Sequence, residues 1–322
     1  MRIRSPRRAL RRRRLRGRER PAFPVPFIVG APRSGTTLLR LMLDAHPKLA
    51  IPSETHFIKD VIKAFRRGRV SAPRLGDLIV GHHRWGDFHL DEAELRSRLE
   101  ALRPLNAADA VRAFYRLYAE RQGKPRWGDK TPGYVKNMRP IATVLPEARF
   151  VHIIRDGRDV ALSVIPMNWG PDTVERAAEV WSERVRGARA QQAELPSYME
   201  VRFEDLLQDT EQELRRICEF VELEFDPVML DYHHRAEERL REKDRDLVRP
   251  SNTVQPASAR MASHALAKSP PQADRVARWK RDMSPEEVAT YERLAGDLLA
   301  ECGYELATRT GTASPGEILS TQ

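Results

Sequence analysis

The stretch "FIVGAPRSGTTLLRLMLDAHP", residues 27–47, decides the fold. A short apolar run, 25–30, closes at Gly30, and a helix-like run begins at Thr36. An apolar strand, a glycine-bearing turn and a helix form the unit that holds phosphate groups on backbone N–H donors and a helix N-terminus. The spacing from Gly30 to Gly35, followed by Thr36 and Thr37, matches G-x-x-x-x-G-K-[ST] except that Thr36 replaces the lysine. That lysine reaches the β and γ phosphates of a nucleoside triphosphate, so its absence argues against such a ligand. Arg33 supplies a cation elsewhere on the loop, and its planar fork grips two oxygens of a tetrahedral anion. The loop therefore predicts a shorter anionic chain.

A second strand–turn–helix unit, "ARFVHIIRDGRDVALSVI" (148–165), repeats the architecture. A triphosphatase keeps a metal-binding aspartate at the end of such a strand, whereas "FVHII" runs into Arg155. Open α/β sheets bind ligands at strand carboxyl ends. Arg33 and Arg155 thus predict two anchor points for a ligand with two separate anionic groups, and Ser163 on the following helix adds a hydroxyl.

Elsewhere, "LAIP" (49–52) predicts a second short strand and 55–65 an amphipathic helix. The helical pattern of 71–122 predicts an insertion lying over the sheet. "GDKTP" places Asp129, Lys130 and Thr131 just before a new helix, 173–194 predicts a long helix, and "YMEVRFEDL" (198–206) a further strand and turn. Helices are expected at 210–223 and 284–302, the latter opening with Ser284 and Pro285. Strands alternating with helices predict an α/β fold of three layers, like that of phosphate-loop nucleotide triphosphatases, with a central parallel sheet and helical insertions. Residues 250–275 show little periodicity, which suits a lid or a disordered loop.

The net charge of +10 lies entirely in residues 1–20, with eleven arginines and one glutamate, so the remainder is formally neutral. The domain expectation is an arginine-rich disordered tail over 1–22, a folded domain over 23–305, and a disordered tail over 306–322. The basic tail suits an anionic partner or a membrane surface. No run approaches the roughly 18 apolar residues of a transmembrane helix, and the only two cysteines, Cys218 and Cys302, provide no disulfide framework. A cytoplasmic setting is expected.

The opening stretch, the "PSETHF" after it and "FVHIIRDGRDVALSVI" resemble the two cofactor-binding signatures of sulfotransferases that use 3′-phosphoadenosine 5′-phosphosulfate, in the branch of the protein-tyrosine sulfotransferases and their bacterial relatives. The resemblance extends loosely over 25–305. It implies that Arg33, Ser34, Gly35, Thr36 and Thr37 cradle the 5′-phosphosulfate, that Arg155 and Ser163 hold the 3′-phosphate, and that no metal takes part. It further implies Glu54 as catalytic base, with Lys130 and Arg33 stabilising charge on the leaving oxygen during in-line transfer to a hydroxyl of tyrosine, a carbohydrate or a small molecule.

Rival readings accompany these. Glu54 also suits a helix cap near Thr55, His56 is an alternative base, and "GHHRWGDFH" (81–89) offers His82, His83, Asp87 and His89 as metal ligands without a recognised spacing. A phosphate-loop kinase or triphosphatase, or a noncatalytic nucleotide-binding scaffold, are the alternative functions. Two positions depart from the tyrosine-sulfating pattern: Met167 stands where an arginine faces the 3′-phosphate, and Phe203 where a tyrosine is usual. Lys268, Arg278 or Lys280 would have to support cofactor affinity instead.

Overall fold

A computed structural model describes residues 23–307 apart from 69, 251 and 263. The two expected tails, but for residue 306 and the neighbouring 307, lie outside the described residues. Strand β1 (Val25–Gly30) leads through the loop into helix α1 (Thr36–Ala45) and the short β2 (Leu49–Ala50). Helix α2 (Ile58–Arg67) takes the place of the amphipathic helix expected at 55–65, and α3 (Ala72–Val80), α4 (Glu92–Ala101) and α5 (Ala107–Arg121) make up the predicted helical insertion. Strands β3 (Arg126–Trp127) and β4 (Asp129–Lys130), helix α6 (Met138–Val144), strand β5 (Ala148–Ile154), helices α7 (Gly157–Val164) and α8 (Val174–Gln192), and strand β6 (Tyr198–Arg202) follow. The remainder comprises α9 (Phe203–Gln208), α10 (Thr210–Phe220), α11 (His233–Leu240), the hairpin β7 (Leu247–Val248) and β8 (Val254–Gln255), α12 (Ala257–Ala262), α13 (Trp279–Asp282) and α14 (Pro285–Glu301).

The main sheet has the order β4–β1–β5–β6 and is parallel throughout. Alternation sends Phe27, Val29 and Phe150 into one core with α2 and α5, and Ile28, Val151 and Ile153 into another with α1 and α10. Helices therefore cover both faces, as expected. The chain leaves β1 toward β4 and returns on the other side for β5 and β6, which opens a crevice at the strand carboxyl ends. Register does the rest: Ile28 pairs with Lys130, Gly30 with Ile153, and Ile154 with Arg202. The phosphate loop, Lys130, Arg155 and Phe203 thus all emerge along one edge.

Three local expectations need correction. Asp129 and Lys130 form a strand rather than the approach to a helix, and the turn after them, Pro132–Lys136, is 3-10. Helix α2 starts at Ile58, so His56 precedes it, with a left-handed φ of 57°. The reason is a buried hydrogen-bond network in which Thr55 docks on Asp129, Thr131 and Tyr134 and so holds the chain out of a helix. Residues 250–275 are neither a bare lid nor formless, because the β7–β8 hairpin, α12 and short 3-10 turns give them structure.

Candidate active site

Helix α1 begins without a side-chain cap and with no acid in its first turn, which leaves its N-terminal N–H groups for an anion. Gly35, at φ 94°, closes the loop. A Cβ there would stand 2.3 Å from the Phe203 ring, so glycine is required by the backbone angle and by close approach. Phe203 has a second contact, with the Arg155 guanidinium 4.6 Å above its ring. The departure at Phe203 thereby acquires a physical role: one ring seats both the loop and the strand-end arginine.

A cavity of about 1220 Å³ opens at this edge, and Arg33, Gly35, Thr36, Thr37, Glu54, Arg155 and Ser163 line it. Seven of the nine predicted site residues are brought together there. Ser34 is not: its side chain is fully buried, its Oγ has no hydrogen-bond partner, and its N–H donates to Ala31 within the turn. Lys130 is also fully buried and does not line the cavity; it touches the lining at Glu54, whose Oε1 accepts from Lys130 Nζ at 2.9 Å.

Glu54 is the electrostatic centre. Its Oε2 lies 3.1 Å from His56 Nε2 and 3.3 Å from Arg84. Burial pushes the carboxyl pKa upward, but Lys130, Arg84 and the His56 hydrogen bond outweigh it, and the group is held well below the usual carboxylate range. It is ionised at any physiological pH. The cap reading fails, because α2 starts four residues later and its N-cap position is Phe57, with no side-chain cap.

The Glu54–Lys130 contact is positioned by groups with no role assigned from the sequence. Thr55 and Asp129, the neighbours of the pair, meet at 2.9 Å, and Tyr115 and Thr131 donate to the same Asp129 oxygen at 2.7 and 3.2 Å. Tyr134 caps the network, lying 3.0 Å from both Thr55 Oγ1 and the Ile58 amide. Burial raises the Asp129 pKa to about 6 despite its hydroxyl donors. Only tertiary pairing joins residues 55 and 129, so no sequence spacing could announce the network.

Arg155 is 6% exposed and donates to the Arg275 carbonyl at 2.8 Å and to Asp159 at 3.3 Å, while its Nε is buried without a partner. Burial chiefly lowers its pKa. Ser163 donates to the Asp159 carbonyl one turn earlier, at 2.9 Å. Of the arginines and lysines expected to compensate for Met167, Arg278 lines the cavity, joined by Arg275. Lys268 and Lys280 instead lean toward Glu237 and Glu305. His82 and His83 line the cavity too, the former with its pKa driven down to about 3 by burial and by His83. Asp87 is committed to Arg260 at 2.6 Å. Among the described residues the compact grouping of potential metal ligands is Asp231, His233 and His234, outside this cavity.

Residues 24–227 match the sequence model of a family described as the sulfotransferase family. A putative protein-tyrosine sulfotransferase of Caenorhabditis briggsae is 27% identical over 64% of this chain and 68% of its own length. Protein-tyrosine sulfotransferase A of Caenorhabditis elegans is 25% identical over 88% of this chain and 67% of its own. Of the Drosophila melanogaster protein-tyrosine sulfotransferase, which is 25% identical over 66% of this chain, 40% is spanned. In structure, the chain resembles the sulfotransferase domain of the Synechococcus PCC 7002 olefin synthase, with a TM-score of 0.56 at 20% identity over 87% of this chain and 97% of that one. The sulfotransferase domain from the curacin biosynthetic pathway gives 0.57 at 20% identity, over 89% and 100%. These two likenesses concern the fold.

Proposed function

The chain belongs to the sulfotransferase family, and on that premise we propose that it takes the sulfuryl group of 3′-phosphoadenosine 5′-phosphosulfate and delivers it to an acceptor hydroxyl beside Glu54. The observation that carries this reading is the Glu54–Lys130 contact of 2.9 Å on the wall of the cavity that the phosphate loop also lines. The residues suit the donor. An uncapped helix N-terminus with Arg33, Thr36 and Thr37 fits one phosphosulfate, and Arg155, with its unpartnered Nε, and Ser163 fit a second phosphate. The donor, when bound, supplies an activated sulfur–oxygen bond.

The protein's part is charge and proton management. Glu54 carries no proton at rest and receives the acceptor's proton as the hydroxyl grows acidic in the transition state. Lys130 keeps Glu54 ionised and aimed from below, which makes it a positioning residue for the base; Arg33 stabilises the leaving oxygen from the loop. The required charge stabilisation comes from side chains, so the mechanism invokes no metal.

The relatives' names support a tyrosine hydroxyl as acceptor, with carbohydrate and small-molecule hydroxyls as the alternatives. The free, buried Cys218 and Cys302 support a reducing, cytoplasmic setting, and among the described residues no helix is long and apolar enough to cross a membrane. The basic segment 1–20 is proposed to engage an anionic partner or membrane surface through its charge. The test is incubation with donor labelled in its sulfur, offered tyrosine peptides, sugars and small hydroxyl compounds in parallel. Label in a hydroxyl product supports the reading. Thermal stabilisation by magnesium ATP, with none by 3′-phosphoadenosine 5′-phosphate and no label transferred, contradicts it.

A further inference from the structure

The turn after α11 carries a lysine into the cavity that no motif marks. Residues Arg241–Lys243 form one 3-10 turn, and Glu242 at its centre is pinned from three directions. Its carboxylate accepts from Arg40 at 2.7 Å, from Arg239 at 2.9 Å and from the Tyr118 hydroxyl. Arg40 belongs to α1, and its Nε donates to the Ile51 carbonyl at 2.9 Å, three residues before Glu54. One buried arginine therefore ties the phosphate-loop helix, the approach to Glu54 and the turn bearing Lys243. Lys243 is 3% exposed, yet it borders the cavity, and its Nζ lies 2.8 Å from Nε2 of His264, which borders it too.

We propose that Lys243, paired with His264, is a further cationic arm of the transfer site, acting beside Arg33 on the anionic oxygens of the donor. The proposal rests on the donor reading above. The groups facing Lys243 include the cations Lys130, Arg84 and Arg40, the carboxylate Glu54, and His264; burial and the three cations hold its pKa well below the ordinary lysine value against the pull of Glu54. Burial, Lys243, Lys130 and Arg33 hold His264 down likewise, with Glu54 opposing. A polyanion arriving among these groups favours the ammonium form, so donor binding takes up a proton. An arginine would carry a fixed charge here, whereas a lysine adapts.

The test is calorimetric titration of the full chain with 3′-phosphoadenosine 5′-phosphosulfate at pH 8, in buffers of different ionisation enthalpy, which counts protons. The wild type is expected to take up protons on binding. Lys243→Met is expected to bind about ten- to a hundredfold more weakly and to take up fewer; His264→Asn is expected to bind with reduced uptake. Methionine matches the lysine stem in length and buries no charge, so a thermal midpoint no lower than wild type verifies the fold. Wild-type affinity and wild-type proton uptake in Lys243→Met overturn the assignment. Failure of the wild type itself to bind overturns the donor reading instead, before any variant is compared.

Discussion

Replacing Lys130 by methionine separates the support of Glu54 from its chemistry. At 2.9 Å the two charges attract by about 6 kcal/mol at an effective dielectric of about 20. Against this stands the desolvation of a fully buried ammonium, several kcal/mol, which is also the main reason the Lys130 pKa is lowered. Removing one partner of a fully buried pair costs about 3–5 kcal/mol. Glu54, however, is 19% exposed on its side chain and retains His56 and Arg84. Lys130→Met should therefore destabilise the protein by about 2 kcal/mol, below the fully buried case. Glu54→Gln in the Lys130→Met background should then cost little, leaving a coupling of about 2 kcal/mol in the double-mutant cycle. Urea unfolding followed by tryptophan fluorescence measures each corner. Turnover carries a second signature: Lys130 is the largest charge lowering the Glu54 pKa, so its loss should move the acid limb of the rate–pH profile to higher pH. A stability loss under about 0.5 kcal/mol with no coupling, and an unmoved acid limb, would refute the pairing argument.

Three further outcomes are expected. Gly35→Ala places a methyl 2.3 Å from Phe203 at φ 94° and should cost about 2–4 kcal/mol in stability by strain and overpacking, read by urea unfolding; the added variant Phe203→Ala should recover part of it, and no loss at all counts against the loop geometry. Arg155→Ala should weaken binding of 3′-phosphoadenosine 5′-phosphate by about 1.5–3 kcal/mol in calorimetry, whereas unchanged affinity removes Arg155 from the site. Asp129 keeps its proton in the fold up to about pH 6, while the unfolded chain releases it near its ordinary value of 3.8. The stability from that proton is full below pH 3.8 and is lost as pH rises through about 6, a swing of about 3 kcal/mol; Asp129→Asn should remove this slope from unfolding curves, and an identical slope in the variant rejects the assignment.

The carboxyl-end architecture was legible because its signals are local. Gly30, Gly35 and the apolar run before them define a strand, a turn and a helix in consecutive residues, and "FVHII" followed by Arg155 repeats the pattern. Strand β4 was not legible: Asp129 and Lys130 are two polar residues, too short a run for any periodicity, and they become a strand only by pairing with Phe27 and Ile28. The start of α2 was misplaced because the contact of Thr55 with Asp129 spans 74 residues and overrides local helical preference. Lys243 and His264 were missed for the same reason. Glu242 is fixed by Arg40 from 202 residues away, and the segment that follows has no pattern to show which of its side chains turn inward. Arg33 was legible from its place in the phosphate loop and Glu54 through the family resemblance, whereas the hydroxyl network that positions Glu54 came only with the fold.

The proposed site of sulfuryl transfer is Glu54, and single-turnover transfer of labelled sulfur by Glu54→Gln, alongside its affinity for 3′-phosphoadenosine 5′-phosphate, tests that most directly. The carboxamide keeps the shape and removes the proton acceptor, so transfer should fall by about 10²- to 10⁴-fold while nucleotide affinity stays within about threefold of wild type, under 1 kcal/mol. Transfer at a near wild-type rate would contradict Glu54 as the base and move the proton to His56 or to solvent.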